Sequence, residues 1–140
     1  MNSQILIKIN GFVKNRLIEL LGLVLVLIGL YLFVSIISYS PADPNFIYKP
    51  DEEQINNIAG FYGSVISDFL LQAFGLISFL FILNFIFWGY KLITQKKISS
   101  FIAKYFYVVI YTMLGTFALN VLYNDSFSLM KNGNGGFVGR

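Results

Sequence analysis

Three stretches of this 140-residue chain, 20–42, 69–90 and 105–124, contain no Asp, Glu, Lys or Arg, and each is at least 20 residues long. At about 1.5 Å per residue, a helix of that length crosses the roughly 30 Å hydrocarbon layer of a bilayer, and helices are favoured there because they satisfy their own backbone groups. Between Leu20 and Ile37, fourteen residues are Leu, Val, Ile or Phe. They supply roughly −4 to −8 kcal/mol of insertion free energy, at about −0.3 to −0.6 kcal/mol each, before the glycine and serine penalties. The residues are 56% hydrophobic and only 12% charged, too few charges to coat a water-facing surface. The expected fold is all-α, a polytopic transmembrane helix bundle. A retained helix is preferred over a cleaved signal peptide for the first stretch, because the apolar core is longer than a signal peptide's and no convincing small-x-small cleavage site follows before Pro41.

Orientation follows from the basic residues. Lys8, Lys14 and Arg16 precede the first span, Lys91, Lys96, Lys97 and Lys104 separate the second from the third, and the first connection holds only Lys49. The positive-inside rule places the 1–19 tail and the basic 91–104 loop in the cytoplasm and the 43–68 connection outside. The net charge of +3 is thus spent on membrane flanks, and the basic residues form no stripe interleaved with stacking aromatics of the kind that binds nucleic acid. Trp88 and Tyr90 before Lys91, and Tyr31 and Tyr39 at the other surface, suit the two interfacial belts.

The stretch Ser38-Tyr-Ser-Pro-Ala-Asp-Pro-Asn45 ends the first span, since Pro41 and Pro44 cannot continue a helix and push their predecessors toward extended backbone. Pro50-Asp51-Glu52-Glu53 reads as a helix start, and from Gln54 the pattern predicts a helix through Asp68. Gly60, Ser64, Ser67 and Gly75, with Gly63 beside them, give that helix and the entry to the second span a small face suited to close packing. Gln72, Ser78 and Asn84 in the second span and Thr112, Thr116 and Asn120 in the third are expected to make interhelical hydrogen bonds. Glu19 is expected to pair with Arg16 at the inner surface, and Asp68 is read as an interfacial charge.

No reaction centre emerges. Without Cys or His the chain lacks disulfides, thiolate metal sites and the usual general base. The Gly-rich segment 132–140 is no phosphate loop, because Gly133 is followed five positions later by Val138 and no lysine comes after it; Val138 also breaks the dinucleotide pattern. Catalytic, cofactor and metal residues are therefore set at none.

In order along the chain, Ser38, Pro41, Asp43 and Pro44 form a Ser-x-x-Pro-x-Asp-Pro turn; Asn57, Gly60, Gly63 and Asp68 follow in the outer connection; then come Phe74-Gly75 and the glycines Gly135, Gly136 and Gly139. This series resembles the N-terminal membrane domain of the FtsK/SpoIIIE family of DNA translocases, from about Leu17 onward. The resemblance implies a bacterial inner-membrane, multi-pass anchor with a cytoplasmic N-terminus, at the division septum, joined to a hexameric motor that pumps DNA and couples chromosome segregation to cell division. It implies membrane lipid, copies of itself and other membrane division proteins as partners, with ATP, Mg and DNA bound only by the motor. It also implies about four helices, so 125–140 is expected to be the outer turn leading to a fourth, truncated span. With three spans the C-terminus faces outward. The alternatives are a small transport or channel subunit, which needs a water path along Asn84, Thr112 and Asn120, and a free-standing membrane scaffold.

Overall fold

A computed structural model describes residues 3–48, 54–96, 98, 101–123 and 133–140. Among them the regular structure is helical: α1 (Ser3–Ile37), α2 (Gly60–Phe74), α3 (Ile77–Gln95) and α4 (Phe101–Leu122), followed by a 3₁₀ turn at Phe137–Gly139. Three segments are long and apolar enough to cross a membrane: Ile7–Ile37, Ile77–Gln95 and Lys104–Leu122. Their outward faces carry exposed Leu, Ile, Val and Phe side chains, as helices solvated by lipid should.

The helices do not keep to the expected limits. The segment read as a cytoplasmic tail, 1–19, is helical from Ser3 and continuous with the first span, because nothing between Ser3 and Leu20 is a strong helix breaker. α1 stops at Ile37, five residues short of the charge-free stretch, and the Ser38 hydroxyl then turns back to the Val34 carbonyl at 2.7 Å. The helix predicted from Gln54 begins only at Gly60, since the backbone N–H groups of Asn56, Asn57 and Ile58 are committed to side chains of the preceding turn. The helix start read at Pro50–Glu53 lies outside the described residues. The second span is not a single rod over 69–90. Gly75, at φ +56°, ends α2, and α3 runs on to Gln95. A left-handed φ there is open to glycine and strained for other residues.

α1 and α3 form the main packed pair. On α1 the contact line runs Glu19, Gly22, Val26, Gly29, Phe33, Ile36; on α3 it runs Ile82, Ile86, Gly89, Ile93, Lys96. Both alternate steps of three and four residues, the heptad spacing of left-handed helix pairs. Glu19, midway along α1, meets Lys96 just beyond the C-terminal end of α3, and Ile36 at the C-terminal end of α1 meets Ile82 nearer the start of α3, so the pair is antiparallel. α2 lies across the end of this pair where α1 finishes and α3 begins, burying Leu70 and Leu71 against Ile36 and Ile82. α4 touches α3 where Gly115 faces Ile77, and touches the segment 133–140 near Thr116 and Asn120.

Candidate functional site

The Ser-x-x-Pro-x-Asp-Pro turn and the Asn57–Asp68 segment interlock at the C-terminal end of α1. Asp43 is only 3% exposed and Asn57 only 4%, so both needed partners inside the protein. The Asp43 carboxylate accepts three N–H bonds: Oδ1 from the Asn56 backbone (2.9 Å) and amide side chain (3.0 Å), and Oδ2 from the Asn57 backbone (2.8 Å). Bonds from N–H donors to an ionised acceptor are the strong class, which lets a carboxylate sit buried without a cation. Asn57 passes the link on. Its amide donates to the Ser35 carbonyl of α1 (2.8 Å) and to the Ser67 hydroxyl of α2 (3.4 Å), while its oxygen accepts from Ser38 (3.2 Å) and from the Ala59 backbone (3.0 Å).

Glycine and proline complete the lock. Gly63 packs where a Cβ would collide with Ala59, would stand 2.6 Å from Asn57 Oδ1 and would stand 3.1 Å from Ser35 Oγ. Pro44 is buried and its carbonyl accepts the Ser64 hydroxyl at 2.6 Å, so the second proline of the turn is tied to α2. Pro41 is exposed and acts as the helix stop. Gly60 stands at φ +72° with open space around it, so its role is the backbone turn into α2.

Asp68 anchors the other side. Its Oδ1 accepts from the Tyr39 phenol (2.9 Å) and the Gln72 amide (2.9 Å), and its Oδ2 accepts from Asn45 (3.0 Å). Partial burial, and then the Asp68 carboxylate beside it, hold the Tyr39 phenol well above the usual tyrosine range. Asp68 is thus the centre of a hydrogen-bonded cluster joining the loop to α2, beyond the interfacial charge the sequence suggested.

The remaining glycines of the series make a second contact. Gly75 lies against the Asn134 carbonyl, which also accepts the Leu76 N–H at 3.0 Å, and Gly136 lies against the Ala73 carbonyl. Gly135 and Gly139 press on the Thr116 carbonyl of α4, and Gly139's own carbonyl accepts Asn120 at 2.9 Å. Each place has backbone where a Cβ would be, so these four glycines wedge one strand of backbone between the α2–α3 break and α4. Phe74 stacks on Phe81 of α3 (centroids 6.1 Å apart) beside that break.

The polar residues within the spans divide differently from the expectation. Asn84 of α3 bonds the Tyr111 hydroxyl of α4, an interhelical pair. Ser78 donates to Leu70 across the Gly75 break, and Asn120 reaches the glycine segment. Thr112 and Thr116, by contrast, return to their own helix at Val108 and Met113. A hydroxyl one turn from a free lone pair of a helix carbonyl needs no neighbour.

Two features escaped the sequence reading. Gly22, Gly29 and Gly89 form the α1–α3 contact, and the signal was present as the seven-residue spacing of Gly22 and Gly29. Glu19 pairs with Arg16 as expected (2.5 Å) but also with Lys96 (2.5 Å), a partner 77 positions away that no local pattern announces. Among the described residues there is no group of His, Cys, Asp and Glu able to hold a metal.

A family model described as the 4TM region of DNA translocase FtsK/SpoIIIE matches residues 14–140. Proteins named DNA translocase FtsK are similar to the chain: that of Rickettsia bellii is 32% identical over 131 residues (94% of this chain, 17% of the relative), and that of Azospirillum brasilense 36% over 89 residues (63% and 14%). The chain therefore spans about a sixth of the length of these curated relatives. No solved structure matches it. With a match over most of its length and three membrane-crossing helices, the chain belongs to the FtsK/SpoIIIE family, as its membrane region.

Proposed function

We propose that this chain is the membrane anchor of an FtsK-like DNA translocase, holding an ATP-driven DNA pump at the division septum so that chromosome segregation is coupled to cell division. The observation that carries the reading is the family match over 14–140, whose polar and glycine residues meet in two packed contacts at the outer ends of the helices. Such contacts fix how helices sit together. ATP, Mg and DNA belong on this reading to a motor outside these residues, and this chain carries insertion, helix packing and contacts with copies of itself and with other membrane division proteins. The basic flanks support a cytoplasmic N-terminus: Lys14 and Arg16 of α1 lie at the same end of the antiparallel α1–α3 pair as Lys91 and Lys96, where Glu19 meets Lys96.

The transport alternative has less support. Asn84, Thr112 and Asn120 turn to three different partners instead of lining one path. The test is a fluorescent fusion of the 140-residue chain expressed in dividing cells, together with blue-native electrophoresis of the solubilised protein. Septal bands and a self-associated species are expected. Uniform membrane fluorescence with a monomer only would overturn the anchoring role, and labelling of mid-span cysteines by a water-soluble reagent would favour transport.

A further inference from the structure

On the side of the bundle where α1 ends, the loop after Pro44 makes a tight turn that displays two apolar side chains. Asn45 accepts the Ile47 and Tyr48 N–H groups on its Oδ1 (2.9 and 2.7 Å), and its own N–H bonds the Tyr48 carbonyl (2.8 Å). The same side chain donates to Asp68. The turn is therefore fixed, yet Phe46 is 80% and Ile47 97% exposed. With Phe69 of α2 and Phe137 of the glycine segment they rim a groove of about 220 Å³ whose floor includes Asp68. Liquid water takes about 30 Å³ per molecule, so the space suits a small polar head group and not a folded ligand.

Asp68 gives the groove its chemistry. A carboxylate offers about four lone-pair positions. Among the described residues three donors reach it, Tyr39 and Gln72 on Oδ1 and Asn45 on Oδ2, one fewer than the carboxylate can accept. Asp68 lines this groove together with Phe46, Phe69 and Phe137, and a carboxylate among aromatic side chains favours a cation with an N–H to donate. Height decides the source. Tyr39 lies two residues past the end of α1, so Asp68 stands at head-group level if α1 crosses the bilayer. The rim side chains Phe46, Ile47, Phe69 and Phe137 are all exposed, as are the apolar side chains on the outward faces of the spans.

We propose that this groove holds the primary ammonium of a phospholipid head group, with Asp68 as the acceptor and Phe46, Ile47, Phe69 and Phe137 against the head group and upper acyl chains. The site rests on the membrane-anchor reading for its height. It ties the family's outer polar cluster to the leaflet, so that lipid stiffens the Asn45–Asp68 contact from outside.

The test is native mass spectrometry of the detergent-purified 140-residue chain titrated with dioleoyl-phosphatidylethanolamine, -choline or -glycerol. The ethanolamine lipid should be retained at least about threefold better than either of the others, a difference worth about 0.7 kcal/mol. Asp68→Asn should abolish the preference. Because that change also touches three hydrogen bonds, Phe46→Ala/Ile47→Ala is the independent probe: these exposed side chains can go without loss of fold, and retention of the ethanolamine lipid should still fall. Equal retention of the three lipids by the unaltered chain, or a preference that survives both variants, overturns the site. Displacement of the lipid by millimolar free ethanolamine overturns the lipid as its occupant. Retention of no lipid at all would count against the anchor reading itself.

Discussion

Gly22 and Gly89 lie backbone against backbone. A Cβ on Gly89 would stand 2.5 Å from the Gly22 carbonyl oxygen, and one on Gly22 would stand 2.7 Å from that of Gly89. Both are distances that real side chains do not adopt. In lipid there is no hydrophobic drive between helices, so close backbone approach and dispersion contact hold α1 to α3. Gly89→Leu should separate the helices while insertion persists, at a cost of about 1–3 kcal/mol or more, as overpacking does. Thermal unfolding in detergent, followed by size-exclusion chromatography, measures it. An unchanged midpoint would show that the seam is not where the pair is held.

The register of that seam can be read directly because the chain has no cysteine. Glu19→Cys/Lys96→Cys should be joined by a short bifunctional thiol reagent, which replaces the reach of two long side chains whose ends meet at 2.5 Å. Glu19→Cys/Gln95→Cys should link poorly, because a neighbouring helix position points about 100° away. Equal yields would refute the register.

Asp43→Asn is nearly isosteric but puts an NH₂ group or a neutral oxygen among three N–H donors. An unsatisfied buried donor costs about 1–3 kcal/mol, so the variant should melt earlier and the loop between α1 and α2 should be cut by protease faster. Asp51→Asn, in the same loop, serves as the comparison. If both behave alike, the Asp43–Asn57 link carries no stability.

Gly75→Ala places a Cβ against the Asn134 backbone and holds an L residue at φ +56°. Strain of that kind is worth of order 1–3 kcal/mol, and the steric conflict adds to it. Loosening of the 133–140 segment should accompany the loss of stability, read as faster amide exchange of Leu76, whose N–H bonds the Asn134 carbonyl. Unaltered exchange would separate the glycine wedge from the helix break.

The Tyr39 phenol, held above its ordinary value, gives a pH dependence of known sign. Folding favours the protonated form, so its contribution is fully present below about pH 10, where an unfolded tyrosine titrates, and is lost as the pH rises toward the folded value. Tyr39→Phe should flatten the fall in melting temperature between about pH 10 and 11.5. Parallel curves for the two proteins would disprove the coupling to Asp68.

Runs 20–42, 69–90 and 105–124 determined the solvent and the helical class without help from tertiary structure, because the cost of an unsatisfied backbone in lipid leaves a chain of that composition few alternatives. The membrane-family series from Ser38 to Gly75 was also legible, since its prolines, glycines and acids stand at fixed spacings. What those residues do was not. Asp43 and Asn57 are 14 positions apart, Tyr39 and Asp68 29, and Glu19 and Lys96 77, and spacing in sequence carries no information about pairs that meet only after helices pack. The break at Gly75 likewise interrupts an unbroken apolar run: composition sees one span there, and only the backbone of Asn134 lying against that glycine makes a left-handed residue the stable solution.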